Sequence, residues 1–370
     1  MMRRVLNRLL HRRSGRRDRT HRRAGPRTRL HVLRLLAVAA LLGPAMPAPG
    51  LVSAQAAAQT WDVQVGFDDD PMAPTVSTQA FYPAPLVIRA GDTVKFNFAG
   101  FHTVTFNSGR PPLPLLVPGS TPGELQLGPA FFPAGPTTQP VRYDGTQQLN
   151  SGAPLQPPAP GAPPPSYSVT FTQPGLYGYT CEIHPGMRAE IEVVPPTATL
   201  PETPAQANTR GQATMNALVG KGREGMAHVL AEHVRPGLGG VQNVFVGSAD
   251  PFGASVLRFL PGDVSIRRGD IVVWSWADPF EVHTVTFTSG ATPPEFVQPR
   301  PQPQGPPLLV IPANVATPQG GNTYSGQGYL NSGIFEAPGA FAVRFDAPAG
   351  SYEYLCLVHP SMRGRVTVTG

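Results

Sequence analysis

One stretch of this chain occurs twice. Gly175-Leu-Tyr-Gly-Tyr-Thr-Cys181-Glu-Ile-His184-Pro-Gly-Met187-Arg188 aligns without a gap to Gly350-Ser-Tyr-Glu-Tyr-Leu-Cys356-Leu-Val-His359-Pro-Ser-Met362-Arg363. Upstream, Phe101-His102-Thr-Val-Thr-Phe-Asn-Ser-Gly109 matches Val282-His283-Thr-Val-Thr-Phe-Thr-Ser-Gly290, and Leu149-Asn-Ser-Gly152 matches Leu330-Asn-Ser-Gly333. Val87-Ile-Arg-Ala-Gly-Asp92 also matches Ser265-Ile-Arg-Arg-Gly-Asp270. Self-similarity at this length means that one structural unit has been written twice. The 370 residues also suit two domains with additions better than one.

The unit is β in character. Gly91-Asp92 and Gly269-Asp270 form turns, and each precedes an alternating run, Thr93 to Phe98 and Ile271 to Trp276. Tyr177, Tyr179 and Cys181 fall at spacing two, as do Tyr352, Tyr354 and Cys356, so each set shares one face of a strand. Each half therefore reads as a sandwich of short strands. Between His and Cys each half carries a proline-rich insertion, with sixteen Pro in residues 110–166 and nine in 291–320. Such segments read as surface loops with little regular structure. From Thr203-Pro204 to about His233 the chain has few β-branched residues. A Thr cap, a first-turn Pro and the stop Pro236-Gly237 predict one or two helices, interrupted at Gly220 and Gly222.

The net charge of +6 is misleading, because residues 1–35 hold thirteen Arg and a single acid, Asp18. The rest carries 16 basic against 22 acidic residues. A mildly acidic body gives no footing for nucleic acid. The basic stretch runs into apolar Leu35 to Leu42 and then the small residues Val52-Ser53-Ala54-Gln55-Ala56. Residues 1–56 read as a signal peptide, which implies an exported protein of the periplasm or extracellular space. Membrane attachment is expected only if that segment stays uncleaved.

The chain has only two Cys, each in Cys-x2-His-x2-Met with a distant upstream His. Each half thus supplies one thiolate, two imidazoles and one thioether, the donors of a trigonal His2Cys copper site with a weak axial Met. A disulfide between Cys181 and Cys356 gives no reason for those partners. A thioether is also a poor zinc ligand. His228 and His233, five apart on an expected helix, do not share a face and read as structural or solvent-exposed.

On these motifs the sequence resembles the cupredoxins, the plastocyanin/azurin-type blue copper proteins. The loop Cys181-Glu-Ile-His184-Pro-Gly-Met187 is most similar to that of amicyanin. The resemblance implies an all-β fold of two tandem Greek-key β-sandwich domains, 57–198 and 241–370, joined by a helical linker at 199–240. It implies two type 1 copper ions, one held by His102, Cys181, His184 and Met187 and the other by His283, Cys356, His359 and Met362. The implied role is an electron carrier rather than an enzyme. His184 and His359 would sit at exposed edges, beside Pro185, Gly186, Pro360 and Ser361, and dock briefly with redox proteins. Thr103 and Thr284 stand where the family usually has Asn, and a hydroxyl there offers a similar tie between the ligand loops. The alternatives are copper sequestration or delivery in the cell envelope and, further off, a copper oxidoreductase of nitrite reductase or laccase type. The latter need more His than the six that follow residue 35, and a His directly after the Cys, where Glu182 and Leu357 stand.

Overall fold

The alternating runs form strands that bury every second residue. Thr93–Phe98 buries Val94, Phe96 and Phe98, and Ile271–Trp276 buries Val272, Trp274 and Trp276. The computed structural model describes residues 57–136, 138–155, 162–184, 186–233, 239–335 and 337–370. The signal-peptide reading of 1–56 and the role given to Pro185 lie outside them. The structure is mostly β-sheet with one long helix, and none of the described helices is long and apolar enough to cross a membrane.

Each half builds its strands in the same order. Leu86–Arg89, Arg188–Val194, Gly175–Thr180, Thr105–Phe106 and Leu149–Asn150 make one five-stranded sheet. Asp263–Arg267, Arg363–Thr369, Gly350–Leu355, Thr286–Phe287 and Leu330–Asn331 make its counterpart. The remaining major strands join into a single ten-stranded sheet across both halves. Its seam is the antiparallel pair Val76–Tyr82 and Ala254–Leu260, in the register Val76↔Val256, Ser77↔Ser255 and Thr78↔Ala254. Two aromatic-rich cores lie between the sheets. Phe96, Phe106 and Tyr179 meet in the first; Trp274, Phe287 and Tyr354 meet in the second. Each buried aromatic stabilises the fold by roughly 1.5–3 kcal/mol through the apolar surface it removes from water.

The helix Pro204–His228 starts as the sequence indicates, with Thr203 and Gln206 capping each other and Pro204 in the first turn. It does not break at Gly220 or Gly222. It continues to His228 and ends in a π turn, Val229–His233. Met215, Leu218 and Val219 pack on Val76, Tyr82 and Ala254, so the helix lies along the seam and touches both halves. Gly222 is needed there, because a Cβ at that position would lie 2.6 Å from Val76 Cγ1. Tertiary packing thus outweighs the ~1 kcal/mol helix penalty of each glycine.

The insertions also depart from the expectation of irregular loops. Leu116–Pro118 and Leu125–Leu127 from the first pair with Leu308–Ile311 and Gln298–Arg300 from the second in a four-stranded sheet. Leu127, Phe131, Ile311 and Val315 form an apolar cluster that includes Leu357 and the partly buried Ile183, both on the Cys-His loops. Glu124, adjoining Leu125–Leu127 in this cap, forms an ion pair with Arg300 from the other insertion. The repeated Asn-Ser-Gly motif anchors the cap. Asn150 Nδ2 donates to Ala130 O and Phe132 O, while Asn331 Nδ2 donates to Asn314 O and Val315 O.

Candidate metal centre

Each Cys stands at the end of a strand whose preceding Tyr residues fill the core, so its thiol opens onto the turn that follows. That turn is closed by the backbone. Cys181 N–H donates to Met187 O at 2.9 Å and Met187 N–H to His184 O at 3.2 Å; the second half repeats this at 3.0 and 2.8 Å with Cys356, Met362 and His359. The turn sets Cys and His side by side and buries both Met residues in the same cores as the Cys.

The upstream His arrives from the facing segment. Its ring needs room, and a bulged glycine in the neighbouring strand provides it. Gly66 (φ +69°) interrupts the register between Val65 and Phe67, and a Cβ there would collide with the His102 ring. Gly247 (φ +68°) does the same for His283, where a Cβ would lie 2.9 Å from Nε2. Bulges that re-aim a strand beside a site are a recurrent device.

His102, Cys181 and His184 come together, as do His283, Cys356 and His359, with the ligand atoms of each group within 4.8 Å of one another. Cys181 Sγ lies 3.9 Å from His102 Nδ1 and 3.6 Å from His184 Nδ1. Cys356 Sγ lies 3.9 Å from His283 Nδ1 and 3.7 Å from His359 Nδ1. Metal bonds of roughly 2.0 Å to nitrogen and 2.3 Å to sulfur, opened to a trigonal angle, set N and S about 3.7 Å apart. The S···N spacings therefore suit one metal ion in each group. Both Cys are buried and free, so they do not form a disulfide with each other.

The surroundings favour the thiolate. Burial opposes its charge, but the facing imidazoles hold Cys181 and Cys356 well below the ordinary thiol range. Thr103 N–H and Thr284 N–H each point at the sulfur from 3.4 Å. The same threonines tie the two ligand segments together: Thr103 Oγ1 accepts Glu182 N–H and Thr284 Oγ1 accepts Leu357 N–H, both at 2.8 Å.

His184 and His359 do not lie at exposed edges. His184 is buried and His359 largely so, and the two face each other across Glu281. Glu281 Oε1 is 3.3 Å from His184 Nε2, and Oε2 is 3.4 Å from His359 Nε2. Gln79 Nε2, from the seam strand of the first half, donates to Glu281 Oε1 at 2.7 Å. Burial opposes the charge on Glu281, yet the two imidazoles hold its carboxyl well below the usual range. Burial likewise opposes protonation of the histidines, while Cys and Glu281 raise His184 well above its ordinary value and His359 to about 10. Asp278 beside His283 is pushed up to about 6, by burial first and then by the charge of Glu281. Glu281 and His184 line a cavity of about 480 Å³, together with Phe101, Phe131 and Phe280.

Glu281 escaped the sequence reading because it has no counterpart in the repeat. Six residues separate Trp276 from His283, against three between Phe98 and His102, and that extra length was the only signal. His228 is exposed on the long helix, outside both groups.

No family model matches the chain, and no curated protein does. Among solved structures, it is similar to a copper(I) form of an amicyanin variant, at 21% identity over 38% of this chain and 89% of that one, with a TM-score of 0.22. Amicyanin from Paracoccus versutus (Thiobacillus versutus) is similar at 20% identity over 38% of this chain and 88% of that one, also with a TM-score of 0.22.

Proposed function

We propose that this is an exported blue copper protein. It has two tandem cupredoxin domains of Greek-key β-sandwich type, each binding one type 1 copper, and it passes single electrons between redox partners in the cell envelope. The carrying observation is the duplicated Cys-His-His group, whose S···N spacings of 3.6–3.9 Å suit a trigonal metal. Copper is favoured over zinc by the donor set, since each group adds a buried Met on the same turn. Bound copper supplies a one-electron couple. The chain's own residues hold the ligands in one arrangement: the bulge glycines seat His102 and His283, the threonines join the loops and the cores fix each Cys. A site that moves little between oxidation states has little to reorganise on transfer.

Copper titration of the signal-free protein, following the visible thiolate-to-copper charge-transfer band, tests this. A band saturating at two coppers, and halved by either Cys181→Ser or Cys356→Ser, is expected. Copper bound without that band would contradict electron transfer and favour storage or delivery.

A further inference from the structure

We infer that Glu281 is a positioning residue shared by both centres, coupling the ligand set of one half to that of the other. This rests on the proposed copper role, and four observations carry it.

First, each histidine presents Nδ1 to its Cys, so Nε2 is the nitrogen left over. A neutral imidazole bound to metal through Nδ1 carries its proton on Nε2 and must donate it. Second, Glu281 offers one oxygen to each histidine, at 3.3 and 3.4 Å. Third, the carboxylate is held on a third side by Gln79, which is itself buried, so it cannot turn toward one histidine without weakening the other contacts. Fourth, its side chain is only 9% exposed, so bulk water screens the arrangement little. Glu281 also reaches across the seam, since His184 and Gln79 belong to the first half while His359 lies in the second.

Metal held at one centre fixes the position of its histidine, and with it the carboxylate that also faces the histidine of the other. By linkage, each centre must then alter the copper affinity of its neighbour by the same factor. A carboxylate serving only as a structural ion pair would support folding without making either centre sensitive to the other.

The test is a double-mutant cycle read by copper(I) affinity, using competition with a chromophoric chelator, and by the position of the charge-transfer band. The affinity of the second centre is measured with the first intact and with Cys181→Ser, each in the parent and in the Glu281→Gln background. Glutamine is the same size but has one acceptor oxygen, so it can accept from only one histidine. In the parent, Cys181→Ser is expected to weaken the second centre at least about fivefold. With Glu281→Gln that dependence should fall below about twofold. Gln79→Leu, which touches neither histidine, should reduce it partly and serves if Glu281→Gln does not fold. Equal dependence in all backgrounds, or none in the parent, would overturn the inference. A protein that binds copper without the band fails the copper reading instead, which separates the two failures.

Discussion

Thr103 Oγ1 accepts the backbone N–H of Glu182, the residue after Cys181, at 2.8 Å. That bond ties the segment carrying His102 to the loop carrying Cys181 and His184. Thr284 and Leu357 repeat it at the same distance.

Thr103→Val keeps the shape and removes the acceptor, leaving the Glu182 N–H without its partner. The expected cost is about 1–3 kcal/mol of metal-free stability, measured by urea unfolding. The charge-transfer band of the first centre should shift as its loop loosens. Thr103→Ser should restore both.

Gly66→Ala should abolish the first centre and leave the second able to fill at saturating copper. The backbone at Gly66 is left-handed, which costs a non-glycine residue roughly 1–2 kcal/mol. The added methyl would also meet the His102 ring. Copper stoichiometry should fall from two to one, with about half the band retained.

The site was legible in the sequence because its chemistry is contiguous and written twice. Cys181, His184 and Met187 fall on one turn, and so do Cys356, His359 and Met362. The strands at Thr93 and Ile271 were legible by alternation, and the helix start by the Thr203 cap. What escaped depends on pairing between the halves. The insertions announce themselves by proline, but Leu308 to Ile311 and Leu125 to Leu127 find each other across the repeat and form a sheet. Glu281 escaped because a comparison of repeats discards what occurs once. The facing of His184 and His359 follows from the seam between Val76–Tyr82 and Ala254–Leu260, which neither half specifies alone.

The helix along that seam gives a paired contrast. Gly222→Ala would press on Val76 and Ala254 and should destabilise the protein by about 1–3 kcal/mol. Gly220→Ala meets open space and should stabilise it by up to ~1 kcal/mol. Thermal unfolding of the two variants beside the parent checks both.

Asp69 gives a pH dependence. Burial raises its carboxyl, but the N–H groups of Val76 and Thr75 and the guanidinium of Arg223 bring it below the ordinary 3.8 overall. A depressed folded value contributes stability that is complete above the unfolded value and lost as pH falls through the folded one. In the metal-free protein, Asp69→Asn should therefore lower stability at pH 6. The gap from the parent should close as pH drops below about 4. A gap that stays constant down to pH 2.5 would contradict this.

The central claim is that both centres are one-electron copper sites. Potentiometric titration of the copper-loaded protein, following the visible band, tests it most directly. The band is expected to bleach on reduction and return on oxidation, with two electrons per chain and no loss of copper. A band that bleaches with one electron would restrict the function to one half. Copper that is released on reduction, or that never gives the band, would contradict the account.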